Sequence, residues 1–332
     1  MQSFNWGVLG PGSIAHTFAK AIAPSKKGKI TAVASRSLQR ATDFAKRYAI
    51  EKTYSDYKQM LADPNIDIIY IATPHNFHYQ QAKMCLEAGK HVLVEKPCTV
   101  NAAQMQALVA LSKCKKLLLQ EALWSRFMPC LSQLRQVLKE GLIGQIQYIQ
   151  SDIGFAFQSR KESRLHQAEL AGGSLLDLGI YSISVSQFLL EEHPDSINAI
   201  GQLTEQQVDG HVLANMHYAS GRYAQFTCSM LSQTSNTMGI VGTEGHVYLP
   251  ACFWDTDLAL IYKDNELIQN IEIPHPVNGF EYQIEQSMQC IEQNKQCSDM
   301  MSHKDSIGVM EVMDDIRKQI GVRYPTNIEA LN

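Results

Sequence analysis

No run of about 18 uninterrupted apolar residues occurs in this 332-residue chain, so no segment reads as a membrane-crossing helix. The apolar stretch near the N-terminus, residues 4–10, is far too short for a signal peptide. Charge of one sign is also lacking. The 29 basic and 33 acidic residues leave a net −4, which gives no argument for nucleic acid or an anionic membrane as a partner. The eight cysteines (85, 98, 114, 130, 228, 252, 290 and 297) include no Cys-x-x-Cys pair and no paired histidine ligands. They exclude a disulfide frame or zinc site as the organising device and read as reduced, mostly buried thiols of a cytoplasmic protein. There is no internal repeat, low-complexity tract or linker. What is left is an ordinary globular composition, 45% hydrophobic and 19% charged, about two domains long.

The informative stretch is Trp6-Gly-Val-Leu-Gly10-Pro-Gly12-Ser-Ile-Ala15. Residues 4–9 predict a buried strand and 13–23 a helix, and Gly10-x-Gly12-x-x-Ala15 between them has the spacing of a dinucleotide-binding turn. Gly10 permits the tight turn, Gly12 lets a pyrophosphate approach the backbone, and Ala15 lets helix and strand pack closely. Ser13 and Ile14 open the helix, whose unpaired N–H groups attract phosphate. The plain alternative is an ordinary strand–helix turn. A second strand, 29–35, ends at Ser35-Arg36-Ser37, about 20 residues beyond the turn, where an acidic residue holds the ribose of NAD. No Asp or Glu stands there. Arg36 suits a 2′-phosphate instead, with hydroxyls from Ser35 and Ser37, so NADP is expected over NAD.

Strand-and-helix alternation continues to residue 121. The run 66–72 reads as a central parallel strand ending in Thr73-Pro74-His75-Asn76-Phe77-His78. Strand ends of this kind face a ligand crevice, which makes Thr73, His75 and His78 candidates for the cofactor or substrate, against surface imidazoles as the plain reading. Strand 91–94 ends in Glu95-Lys96-Pro97, where Pro97 forces Lys96 into an extended conformation and permits a cis bond. Trp124, Arg126 and Phe127 follow the last strand, either lining a pocket for a ring-shaped substrate or packing between domains.

The second half has another grammar. Strands are expected at 145–157, 196–203, 211–218, 222–230, 234–241, 245–248 and 258–263, with helices at 174–190, 280–294 and 303–320. This predicts a largely antiparallel sheet with one face on helices and the other free for oligomerisation. Asp177 and Tyr181 share a helix face. Ser174-x-x-Asp177 fits a capping box, and Tyr181 a half-buried aromatic; the functional alternative has Asp177 orienting substrate or lysine and Tyr181 exchanging a proton, its pKa lowered by an ammonium such as Lys96.

Gly10-Pro-Gly12-Ser-Ile-Ala15, Ala88-Gly-Lys-His-Val-Leu-Val-Glu95-Lys96-Pro97 and Gly172-Gly-Ser-Leu-Leu-Asp177-Leu-Gly-Ile-Tyr181 together resemble the glucose–fructose oxidoreductase/inositol dehydrogenase (Gfo/Idh/MocA) family. The segment around Trp124 and the Tyr181 ending are similar to its dihydrodiol and NADP-dependent D-xylose dehydrogenases, whereas many members carry histidine at the position of Tyr181. The resemblance implies an α/β protein: a Rossmann domain over 1–123 and an α+β domain with an open-faced sheet over 124–332, pairing into dimers or tetramers through that sheet. It implies Lys96 and Tyr181 as catalytic with Asp177 in support, and Glu95 and Lys96 near the cofactor. The loop of His75 and His78, with Trp124, Arg126, Phe155 and Trp254, lines the substrate pocket in that reading. The expected activity is NADP-dependent hydride transfer with a cyclic polyol, a trans-dihydrodiol or an aldopyranose. The alternatives are an NAD-dependent inositol- or sugar-type dehydrogenase and a dinucleotide-binding regulator without turnover.

Overall fold

The computed structural model describes residues 3–157 and 163–331. In chain order the first half contains β1 (Phe4–Leu9), α1 (Ser13–Ile22), β2 (Gly28–Ala34), α2 (Leu38–Tyr48), β3 (Lys52–Tyr54), α3 (Tyr57–Leu61), β4 (Ile68–Ile71), α4 (His78–Glu87), β5 (His91–Glu95), α5 (Ala102–Lys115) and β6 (Leu119–Ala122). The six strands form one parallel sheet in the order β3-β2-β1-β4-β5-β6. β4 reads Ile-Ile-Tyr-Ile and is wholly buried, as a central strand with helices on both faces must be. The order reverses between β1 and β4, so the crevice at their carboxyl ends is the natural ligand site of such a sheet.

The second half adds α6 (Pro129–Lys139), β7 (Ile146–Gly154), α7 (Ile180–Leu190), β8 (Ser196–Leu203), β9 (Asp209–His217), β10 (Tyr223–Ser229), β11 (Met238–Gly242), β12 (His246–Leu249), β13 (Leu258–Lys263), β14 (Glu266–Glu272), α8 (Phe280–Glu292), α9 (His303–Ile320) and α10 (Thr326–Glu329). Its eight strands run β14-β13-β12-β11-β7-β10-β9-β8, antiparallel throughout except for the β7–β10 pair. Alternation decides which face is covered. Val212, Ala214 and Met216 of β9 and Ala224, Phe226 and Cys228 of β10 point into the core, while Leu213 and Tyr223 between them stay exposed.

Three expectations change. The strand expected from 234 begins at Met238, because Asp152 gathers Ser235, Asn236 and Thr237 into a hydrogen-bonded loop. β14 escaped the sequence reading because it is an edge strand whose residues are exposed except for Ile271. The Ser174–Asp177 capping box does not form. Asp209 accepts instead from Ser174 Oγ at 2.9 Å and from the Leu175 N–H at 2.6 Å. The chain also returns on itself: Phe280, Ile284 and Met288 of α8 join the core of Trp6 and Phe18, and Gln104 on α5 donates to the Ile328 carbonyl at 2.7 Å.

Candidate active site

A cleft of about 670 Å³ opens at the carboxyl ends of β1, β2, β4 and β5 and reaches the turn that begins α7. Its floor is the glycine turn. Gly10 sits at φ +85°, where a Cβ would lie 2.7 Å from Thr73 Cγ2 and 3.2 Å from the Ala72 carbonyl. At Gly12 the nearest atom to such a Cβ is the Ala72 carbonyl at 3.8 Å, so space is left beside the backbone. No side chain caps α1 and no acidic residue occupies its first turn, which leaves its N–H groups to an outside acceptor. Ser13 and Ile14 line the cleft; Ala15 does not, because it lies on the inner face of α1 and is fully buried.

At the β2 end, Ser35, Arg36 and Ser37 line the same cleft, and so do Arg40 and Tyr57, which the sequence reading passed over. Arg40 lies in the first turn of α2, just beyond the Ser35-Arg36-Ser37 strand end. Ser37 is committed locally, its hydroxyl accepting the Arg40 N–H at 3.4 Å. Arg36 lies over the Phe77 ring, 5.3 Å from its centroid. This donor set (free helix amides beside two guanidiniums) fits the phosphates of a dinucleotide.

At the other end stand Lys96, Asp177 and Tyr181. The Lys96–Pro97 bond is cis, and Lys96 Nζ lies 4.7 Å from the Tyr181 ring centroid. Nζ also donates to the Asp177 backbone carbonyl and lies 3.2 Å from Asp177 Oδ1. Residues Leu175–Gly179 form a wide π-helical turn before α7, and it is this turn that brings Asp177 and Tyr181 to the lysine. The Trp124 indole donates to Tyr181 Oη at 3.0 Å. Beyond it, Trp254 lies 5.9 Å from Tyr181 and 5.8 Å from Phe155, ring centre to ring centre, giving one aromatic wall.

Burial and charge compete here. Burial lowers the Lys96 pKa, but Asp177 and Tyr181 outweigh it and the net shift is upward. Burial raises the Asp177 pKa, yet Lys96 and Arg164 hold the carboxyl well below its usual range. For Tyr181 the expected lowering is reversed: burial raises its pKa more than the opposing pull of Lys96 lowers it. Glu95, buried and accepting from the Tyr70 hydroxyl, is pushed up to about 7, chiefly by burial. His75, only 4% exposed, is held neutral first by burial and then by Arg164.

His78 borders the cleft as expected, but from beneath its surface, whereas Arg126 is placed elsewhere. The His78 ring is fully buried, with Nδ1 2.7 Å from the Pro97 carbonyl and Nε2 2.7 Å from the Thr73 carbonyl, and as a neutral imidazole it donates to one of the two. Burial brings its pKa down to about 4 against the pull of those carbonyls. Arg126 is buried within the second half of the chain: it donates to the Met300 and Ser184 carbonyls and lies over the Phe188 ring. Conversely, Arg164 reaches the site unforeseen, Nη2 at 2.7 Å from Asp177 Oδ1. It comes from a loop with no periodicity or motif to mark it.

The glycine turn, the switch-point crevice and the lysine–tyrosine pair define an NAD(P)-binding oxidoreductase. The chain belongs to the GFO/IDH/MocA family: residues 4–123 match its oxidoreductase domain with NAD-binding Rossmann fold, and residues 131–248 match its C-terminal domain. It is 34% identical to the trans-1,2-dihydrobenzene-1,2-diol dehydrogenase of Xenopus tropicalis (96% of this chain, 99% of the relative). It is likewise 34% identical to that of Mus musculus (98% of this chain, 99% of the relative). Its fold is shared by a 3-ketoreductase from Actinomadura kijaniata solved with NADP and TDP-benzene. That comparison gives a TM-score of 0.85 at 24% identity, covering 96% of this chain and 98% of that one.

Proposed function

We propose that the protein is an NADP-dependent dehydrogenase that oxidises a secondary carbinol of a cyclic polyol, a trans-dihydrodiol or an aldopyranose, and catalyses the reverse reduction. The observation that carries this reading is the meeting of Lys96 and Tyr181, 4.7 Å from Nζ to ring centroid, in the cleft floored by the glycine turn. When bound, the nicotinamide supplies or accepts the hydride at C4. Ser13 and Ile14 amides would hold the diphosphate, Arg36 and Arg40 the 2′-phosphate, and Thr73, His75 and Glu95 border the nicotinamide end.

In oxidation, Tyr181 Oη takes the carbinol proton while Lys96 Nζ holds the same oxygen; in reduction, Oη returns the proton. Because burial keeps the phenol protonated, Tyr181 is ready as an acid at neutral pH, and the oxidation rate rises with pH as the phenolate forms. Asp177 orients the lysine. The aromatic wall of Trp124, Trp254 and Phe155 suits the apolar face of a ring.

The test is a spectrophotometric screen of NADP reduction across dihydrodiols, aldopyranoses and inositols. The Tyr181→Phe and Lys96→Met variants should each turn over at least ~100-fold more slowly with NADPH binding kept. Binding of NADPH without any hydride exchange, or variants with near-normal turnover, refutes the reading. The Arg36→Ala variant should lose its preference for NADP over NAD; unchanged preference counts against that cofactor. An oligomer through the second sheet is supported by a row of exposed Tyr148, Ile200, Leu213, Tyr223 and Tyr248 on its outer face. Sedimentation as a monomer would exclude it. All eight cysteines are free, which supports a reducing compartment such as the cytoplasm.

A further inference from the structure

Asp177 presents one oxygen to two cations. Oδ1 lies 2.7 Å from Arg164 Nη2 and 3.2 Å from Lys96 Nζ, while His75 Nε2 stands 3.6 Å away. Arg164 Nη1 also lies 3.2 Å from His75 Nε2. A guanidinium has only donors, so that nitrogen accepts and the His75 proton rests on Nδ1, which is buried without a partner. The imidazole is thereby kept neutral, and the cluster counts two positive charges against one negative.

Without Arg164 the ammonium and the carboxylate would cancel. Lys96 would then be half of a closed ion pair, with little field left for its other neighbour. That neighbour is Tyr181, whose ring lies beneath Nζ. We propose that Arg164 is a positioning residue that takes up the charge of Asp177 and so leaves the Lys96 ammonium uncompensated over the Tyr181 ring. This role rests on the reading of Lys96 and Tyr181 as the proton-transferring pair.

The other groups facing Tyr181 fit this account. Burial, Glu95 and Asp177 oppose ionisation of the phenol, Lys96 and the Trp124 indole favour it, and Tyr70 on β4 is buried and neutral. Asp177 is the carboxylate 3.2 Å from Lys96 Nζ, and so the one whose charge would close the ammonium into an ion pair. A merely structural tie between Arg164 and Asp177 would act on geometry and would leave the ionisation of Tyr181 where it is.

The experiment separates the two. The full-length protein is labelled with 3,5-difluorotyrosine, whose phenol ionises at lower pH, and the Tyr181 signal is assigned in the fluorine NMR spectrum by its loss in Tyr181→Phe. Titration without cofactor follows its ionisation above about pH 7, where His75 is neutral. In Arg164→Met the midpoint should rise by about one pH unit, the scale of losing one nearby opposite charge, and Arg164→Lys should restore it. Arg164→Gln replaces the methionine variant if that one melts at reduced temperature.

The acid limb of the pH profile for polyol oxidation should move by the same amount. A midpoint in Arg164→Met equal to wild type overturns the proposal, as does an Arg164→Lys midpoint raised as far as that of methionine. A wild-type protein that transfers no hydride overturns the catalytic reading and this role with it; that outcome is recognised on the unaltered protein, before any arginine variant is compared.

Discussion

Replacing Trp124 by Phe removes the one hydrogen bond that the described structure gives to the Tyr181 hydroxyl, the indole N–H at 3.0 Å. The ring remains, so contact with Phe280, 4.9 Å between centroids, is largely kept. A hydrogen bond to a neutral group contributes about 0.5–1.5 kcal/mol and one to a charged group about 1.5–3 kcal/mol. The indole therefore favours the phenolate over the phenol by about 1–1.5 kcal/mol, close to one pH unit. Burial already raises the Tyr181 pKa, and the substitution raises it further. Oxidation of a polyol needs the phenolate, so kcat should fall about tenfold at neutral pH and recover at alkaline pH. In the reductive direction the hydroxyl is the donor, and the loss should be much smaller.

The assay is kcat against pH in both directions for the best substrate of the screen, with NADPH affinity measured separately. An equal loss at every pH would assign the indole a packing role. No loss in either direction would show that the hydrogen bond does not act on the reacting phenol.

Two further substitutions test the frame rather than the chemistry. Gly10→Ala places a Cβ 2.7 Å from Thr73 Cγ2 at a φ of +85°, a conformation costing about 1–2 kcal/mol for an L-residue, and displaces the strand-end loop beside it. NADPH affinity should drop about tenfold or more for roughly that cost, and fluorescence titration giving an unchanged affinity would argue against a cofactor on this turn. Asp209→Ala strands the Ser174 hydroxyl and the Leu175 N–H at the start of the π-helical turn, at about 1–3 kcal/mol each. Urea unfolding should show the loss. Because burial raises the Asp209 pKa to about 6, the folded wild type holds a proton that the unfolded chain has released. Its stability should therefore fall with rising pH between about 4 and 6, a slope that the alanine variant lacks.

Much of the first domain was readable because its signals are local. A parallel strand covered on both faces must be apolar along its whole length, so the run from 66 to 72 announces itself. The glycine turn requires φ > 0 at Gly10 and open space at Gly12, and few other residues meet those needs. Tyr181 was found as a candidate, but its pKa was misjudged. Spacing shows that an ammonium lies near; it does not show how much water the fold removes, and here desolvation is the larger effect. Arg126 was misassigned for a similar reason, since an arginine beside aromatics reads alike whether it faces a cleft or a buried carbonyl. The edge strand β14 was lost because one side of its pairing and nearly all of its side chains face water, which removes the alternation on which strand reading depends.

The sequence by itself determined the dinucleotide turn, the run of parallel strands and the chemical types present at Lys96, Asp177 and Tyr181, because each is dictated by neighbours a few residues away. Only the tertiary structure decided that Arg164 meets Asp177, that Trp124 donates to Tyr181, that His78 is hidden and that Asp209, not Asp177, receives the N–H at the start of that turn. Those pairings join segments whose separation along the chain carries no pattern. They exist because the fold brings the carboxyl ends of the parallel strands and the turn before α7 together around one charge cluster.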